Sequence, residues 1–314
     1  MKKGSGAFLG AIDAKRHPTP FPDVAAPAAA GGRRTADFFS LTKPRLNFLV
    51  VVTAAVGYYI GANTVDLLKW AEAIAGTALV AGGAAGLNQV YERDTDSLMW
   101  RTRSRPLAAQ RLSVNEATAF SLALSTAGLA MPATRTNILA AALALLTLIS
   151  YNIIYTPMKR RSQLATLVGA VPGALPPMIG WAAASGALTP GAWALFAIVF
   201  VWQIPHFMAI AWLYRQDFER AGFPLLPVVN PDGKTTARQA ILFSVLLIPV
   251  SLGPFFLHMA GGAYAAGAML GGLALLAASL SFMADRTNER ARRLFLGSIT
   301  YLPLLWILMI ADRL

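Results

Sequence analysis

Cysteine is absent from all 314 residues, which excludes disulfides, a thiolate nucleophile and thiolate-held zinc or iron–sulfur clusters while leaving the redox compartment open. Histidine is nearly absent, with only His17, His206 and His258 in the chain. Charge is thin as well. Asp, Glu, Lys and Arg make up 13% of the residues and hydrophobic ones 56%, a balance that a water-soluble domain does not carry. The composition reads as an all-α polytopic membrane protein. Acids are the scarcer sign, 15 against 27 basic residues, for a formal net charge of +12. In a membrane chain such an excess gathers in cytoplasmic loops facing anionic headgroups, so the lipid bilayer is the expected partner and nucleic acid is set aside.

What the chain has in abundance is long apolar runs. Stretches of membrane-spanning length fall at about 46–63, 69–90, 115–133, 137–156, 164–184, 191–213, 238–259, 263–284 and 294–312, predicting nine transmembrane helices. With the amino terminus in the cytoplasm, every Lys and Arg except Lys69, Arg135 and Arg313 lies on the inner side, which orients the bundle and puts the carboxyl terminus outside. Residues 1–38 are basic, rich in Pro, Ala and Gly, and lack an apolar core of signal-peptide length. They are expected to form a disordered cytoplasmic tail, with 39–314 as the membrane domain. Asp13, Asp23, Asp37 and the prolines suit an organelle-import presequence poorly, so a bacterial inner membrane is the expected location.

The scarce acids are clustered. Asn88, Glu92 and Asp96 recur at i, i+4 and i+8 directly after the run Ala71 to Val90, which stacks an amide and two carboxylates on one helical face. Such groups are costly to desolvate, so they are expected to coordinate cations or pair with bases. Arg101, Arg103, Arg105 and Arg111 follow at once, so a divalent metal and a polyanion can be held side by side, as diphosphate chemistry requires. A second mixed connection, Tyr214 to Pro227 with Asp217, Glu219 and Arg220, falls on the same cytoplasmic side. Charged residues at one helix end are ordinarily a solvated border, but two clusters of hard oxygen donors on one side suit Mg²⁺ bridging a diphosphate. Gly82, Gly83 and Gly86, with Ala84 and Ala85, allow backbone-close packing that turns this helix end towards the bundle interior.

From about Ser40 onwards these segments resemble the UbiA superfamily of intramembrane prenyltransferases, and within it the heme-modifying branch. The resemblance is carried by Leu41-Thr-Lys43-Pro-Arg45, the Asn88 to Asp96 motif, Arg101-Thr-Arg-Ser-Arg105-Pro-Leu, Tyr155-Thr-Pro-Met-Lys159-Arg160-Arg161, Pro172 to Trp181, Trp202-Gln203-Ile-Pro205-His206-Phe207, and Asp217 to Pro227. The chain departs from the superfamily pattern at Glu92, where Asp is usual, and in the second motif, where Tyr214-x-x-Asp217 stands for Asp-x-x-x-Asp.

The resemblance implies nine transmembrane helices around a central cavity, with farnesyl diphosphate and heme b as substrates and Mg²⁺ as the cofactor. It assigns the metal and catalytic positions to Asn88, Glu92, Asp96 and Asp217. Lys43, Arg45, Arg101, Arg105 and Lys159 would grip the diphosphate or the heme propionates, Arg through its planar fork. Tyr151, Tyr155, Trp202, Phe207 and Tyr214 would face a passing allylic cation, with interface anchoring as their ordinary alternative. His206 becomes the axial-ligand choice for heme iron, His258 an interface residue, and Met178 and Met208 packing residues. A heme A synthase or an oxidase-assembly protein would be the handover partner. The rivals are prenylation of a quinone precursor and ion-coupled transport, the latter disfavoured because the acids gather at one face.

Overall fold

The computed structural model describes residues 30–314, with side chains from Arg33 onwards. Residues 1–29, His17 among them, lie outside the described residues. Among the described residues there is no strand, only an isolated bridge between Ala260 and Arg313.

Helix α1 (Ala30–Leu41) turns at Lys43, φ 47°, into α2 (Pro44–Gly61). Next come α3 (Leu67–Leu98), α4 (Val114–Arg135) and α5 (Ile138–Ile149), which runs through a π-helical turn (Ser150–Tyr155) into α6 (Thr156–Met158). Helices α7 (Ala165–Ser185) and α8 (Pro190–Leu213) are followed by short α9 (Arg215–Arg220) and α10 (Leu226–Val229). Helices α11 (Lys234–Ser251), α12 (Gly253–Phe256), α13 (Gly262–Ala284) and α14 (Asn288–Ala311) complete the bundle.

The helix starts are written locally. Asp66 accepts from the N–H groups of Leu68 and Lys69 at 3.0 and 3.1 Å. Ser113 and Glu116 form a capping box at α4, and Asn137 accepts from Ala140 N–H at 2.9 Å at α5. Pro44 and Pro190 occupy first-turn positions, where the missing N–H costs nothing.

Taking α5 through α6 as one unit, nine long helical units stand among the described residues, and eight have the length and apolarity to cross a membrane. The chain is a multi-pass membrane protein. The remaining unit, α4, has no stretch as apolar as the others, its length being interrupted by Thr118, Ser121, Ser125, Thr126 and Thr134, yet it is the most extensive partner of α3. Ser121 and Ser125 return their hydroxyls to carbonyls one turn back, at 2.7 and 2.8 Å, so their burial leaves no donor unpaired. A methyl group at Gly83 or Gly86 would overlap these serines, so the two helices touch backbone to backbone. Gly57 and Gly180 do the same between α2 and α7, each against a carbonyl of the other helix.

Helix α1 begins inside the segment whose composition predicts a tail. Its end is anchored by Leu41, which packs fully buried with Leu107, Leu112 and Ala117, and by Asp37, whose Oδ1 accepts from Arg111 at 2.8 Å. Leu41 already belongs to the membrane domain expected from residue 39 onwards, and of the expected tail only residues 30–38 fall among the described residues.

Candidate active site

Helix α3 runs past its apolar stretch and carries Asn88, Glu92 and Asp96 into the bundle on one face, all buried. A buried carboxylate without a partner is strongly unfavourable, and each of these positions is met by a different segment. Lys43 Nζ donates to Asn88 Oδ1 at 2.9 Å, and Asn88 Nδ2 donates to Thr156 Oγ1 at 3.2 Å. Lys159 Nζ donates to both Glu92 oxygens, at 3.0 and 3.3 Å. Arg105 Nη1 donates to both Asp96 oxygens, at 2.8 and 2.7 Å. The result is a ladder of three rungs. Thr156 and Lys159 reach it just beyond the π-helical turn, where the extra residue in the turn shifts the helix face that follows.

Burial, then the like charges of Arg105 and Lys159, push Lys43 down to about 7, with Glu92 and Asp96 opposing. Lys43, which faces the neutral amide of Asn88, is thus the rim base that most readily gives up its proton, while Lys159 and Arg105 face the two acids.

The second connection meets the first at the same end of the bundle. Asp217, in the first turn of α9, accepts from the N–H groups of Trp100 and Arg101 at 3.2 and 3.3 Å and from Arg220 Nη1 at 3.3 Å. Arg101 lies 5.2 Å from the centre of the Tyr214 ring. Asp217 therefore holds the loop that follows α3, while Glu92 and Asp96 face Lys159 and Arg105. Among the described residues no three Asp, Glu or His side chains converge as a ready metal-ligand group. Arg45 and Glu219 are exposed.

From Lys43 a cavity of about 340 Å³ leads inward between α2, α3, α5, α7 and α8. Tyr151 and Tyr155, 5.5 Å apart, line it near the ladder, and Trp202, Gln203, His206 and Phe207 line it further in. His206 Nδ1 lies 2.8 Å from Ser298 Oγ, and its ring stacks with Trp202 and with Phe295 at 5.1 Å each. Met178 and Met208 are buried in the core, as packing residues would be, and His258 is exposed beyond α12.

The structure thus gathers Lys43, Asn88, Glu92, Asp96, Arg105, Tyr155 and Lys159 at one rim, attaches Asp217, Arg101 and Tyr214 beside it, and sets Trp202 and His206 deeper. Two participants have no individual signal in the sequence. Thr156 sits inside a quoted motif without a role of its own, and Ser298 belongs to no motif.

The model of the UbiA prenyltransferase family matches residues 50–306. A protoheme IX farnesyltransferase of Solibacter usitatus is 47% identical over 287 residues, covering 88% of this chain and 98% of its own. One of Opitutus terrae is 40% identical over 286 residues, covering 91% and 97%. Among solved structures, a digeranylgeranylglyceryl phosphate synthase shares the fold with a TM-score of 0.74 at 18% identity, over 89% of this chain and 98% of the other. A UbiA homologue from Archaeoglobus fulgidus bound to DMAPP and Mg²⁺ gives 0.62 at 17% identity, over 87% and 99%. With a family match over that length and relatives this similar across nearly all of both chains, the protein belongs to the UbiA prenyltransferase family.

Proposed function

We propose that this membrane enzyme transfers the farnesyl group of farnesyl diphosphate to a vinyl group of heme b, with addition of water, to give heme O. The observation that carries this reading is a base-lined acid ladder beside Lys43 at one end of a mainly apolar cavity that Trp202 and His206 also line, in a chain 47% identical to a protoheme IX farnesyltransferase.

Asn88, Glu92 and Asp96 offer buried hard oxygen donors beside several fixed cations, a donor set that fits a magnesium diphosphate. Bound there, Mg²⁺ would neutralise charge building on the leaving oxygens. The Archaeoglobus homologue, which carries Mg²⁺ together with DMAPP, supports this assignment. Lys43, Lys159 and Arg105, which neutralise the ladder in the ligand-free arrangement, are the groups that turn to the diphosphate. Asp217 uses three of its roughly four acceptor positions on N–H donors, leaving room for one bond to metal while it orients the Arg101 loop. Arg101, against Tyr214 beside the rim, and the exposed Arg45 suit the heme propionates.

In the reaction the allylic C–O bond breaks and diphosphate departs. The vinyl carbon supplies the electron pair for the new C–C bond, and the cation left beside the ring takes up water, which gives up a proton. No protein nucleophile is needed. The cavity must exclude other water, and the faces of Tyr151 and Tyr155 stabilise the passing cation. His206 meets the heme iron. Because the ladder end carries nearly all the basic residues among the described residues, it faces the cytoplasm, in a bacterial inner membrane. A heme A synthase or an oxidase-assembly protein is the expected recipient of the product.

Purified full-length protein incubated with heme b, farnesyl diphosphate and Mg²⁺ should yield heme whose mass has grown by one farnesyl and one hydroxyl group. Unchanged heme, alongside prenylation of an offered hydroxybenzoate, would overturn the heme assignment in favour of a quinone precursor.

A further inference from the structure

Ser298 is fully buried on α14, and its hydroxyl has two neighbours. Oγ donates to the Phe295 carbonyl at 2.6 Å and lies 2.8 Å from His206 Nδ1. A hydroxyl has one proton to give. With that proton committed to Phe295, Oγ can only accept from the imidazole, so Nδ1 carries the hydrogen and Nε2 is a bare lone pair. The same residue fixes the neighbouring ring, because the Ser298 carbonyl accepts from Trp202 Nε1 at 2.8 Å and Trp202 stacks with His206 at an interplanar angle of 21°. Nε2 has no hydrogen-bond partner among the described residues. It is also not one of their sealed, unpartnered nitrogens, and His206 lines the cavity.

We propose that Ser298 is a positioning residue for the heme substrate: its hydroxyl locks His206 in the Nδ1-protonated form and so presents Nε2 to the iron. The proposal rests on the reading of this cavity as the heme site. Neutral imidazole ligates metals through one nitrogen while the other donates to a fixed acceptor, which sets the tautomer and strengthens the ligand. Ser298 supplies that acceptor from a helix that carries none of the quoted motifs.

The test is a titration of the full-length protein in micelles with ferric heme b, read by its absorption spectrum and repeated for farnesyl diphosphate binding. His206→Ala should lose the imidazole-ligated spectrum and regain it with added imidazole. Ser298→Ala should weaken heme binding by about 10-fold and alter the spectrum, the scale seen when a metal-bound histidine loses its outer partner. Its affinity for farnesyl diphosphate should not change. Ser298→Cys keeps the volume with a weaker acceptor and should fall between. If His206→Ala loses ligation while Ser298→Ala keeps the wild-type affinity and spectrum, the role given to Ser298 is wrong and the heme site stands. An unchanged spectrum in His206→Ala removes the heme reading of the histidine and the proposal with it. Loss of heme and diphosphate binding alike in Ser298→Ala, or full recovery in Ser298→Cys, would mark Ser298 as a packing residue and overturn the proposal.

Discussion

Lys159→Met removes the ammonium 3.0 Å from Glu92 Oε1 and keeps a side chain of similar length. The Glu92 side chain is 3% exposed and that of Lys159 18%, so water can do little to compensate. Breaking one side of a buried ion pair costs about 3–5 kcal/mol, because the remaining charge is stranded. Lys43 and Arg105 also act on Glu92, which places the expected loss near the lower end, about 3 kcal/mol. Adding Glu92→Gln removes the stranded charge. Neutral replacements of similar volume are often as stable as the pair they replace, so the double variant should recover most of the loss. Farnesyl transfer should not recover, because losing one group that grips developing charge lowers turnover by about 100–1000-fold. Unfolding in a detergent titration, measured beside mass-detected farnesyl transfer, separates the two effects. A double variant as unstable as Lys159→Met would show that the burial of Glu92 does not depend on this pair. A double variant that regains turnover together with stability would refute the placement of both residues at the reacting end.

Asp217→Ala strands the N–H groups of Trp100 and Arg101 and should cost about 1–3 kcal/mol locally; hydrogen exchange should rise across residues 99–103, and unchanged exchange there would contradict the clasp. Gly83→Ala drives a methyl into Ser125 and Ser121 and should destabilise the protein by about 1–3 kcal/mol. Gly82→Ala, whose nearest neighbour is the Thr42 side chain at 3.3 Å, should be milder in the same thermal assay; equal losses would mean that the α3–α4 approach is not the tight one. Chelation of Mg²⁺ should stop transfer while the spectrum of bound heme persists, because His206 and the ladder are separate groups. Loss of the heme spectrum on chelation would mean that they are not.

Hydrophobic length and helical spacing are local properties, and they locate the nine long units and put Asn88, Glu92 and Asp96 on one face, but they miss polar helix ends: α3 runs on to Leu98, eight residues past the expected 90, and α14 starts at Asn288, six before the expected 294. Even α4, which has no stretch apolar enough to stand as a span on composition alone, is legible through its length. The partners of the ladder were not legible as partners, because Lys43, Thr156 and Lys159 lie 45, 68 and 67 residues from the groups they bind. Motifs marked the two lysines as anion-binding residues without showing that they close on the acids. Asp217 reads in sequence as a ligand, and only the fold shows it holding two main-chain N–H groups. Ser298 is silent, since its part depends on the direction of one proton between two helices.

The pairing follows from chemistry that no single segment contains. A chain that keeps carboxylates buried at a cavity mouth has to bring each a counter-charge, and here those charges arrive from separate connectors. That arrangement also limits what the site can accept. A bare anion would draw the lysines away and strand the acids, and a bare cation would strand the lysines. An anion that arrives with its own divalent metal satisfies both sets at once. Farnesyl diphosphate should therefore bind far more weakly to the wild-type protein without Mg²⁺ than with it. In the Glu92→Gln and Lys159→Met double variant, where neither charge remains to be stranded, that difference should shrink. A metal dependence of the same size in both proteins would show that the ladder does not exchange its partners for the magnesium diphosphate.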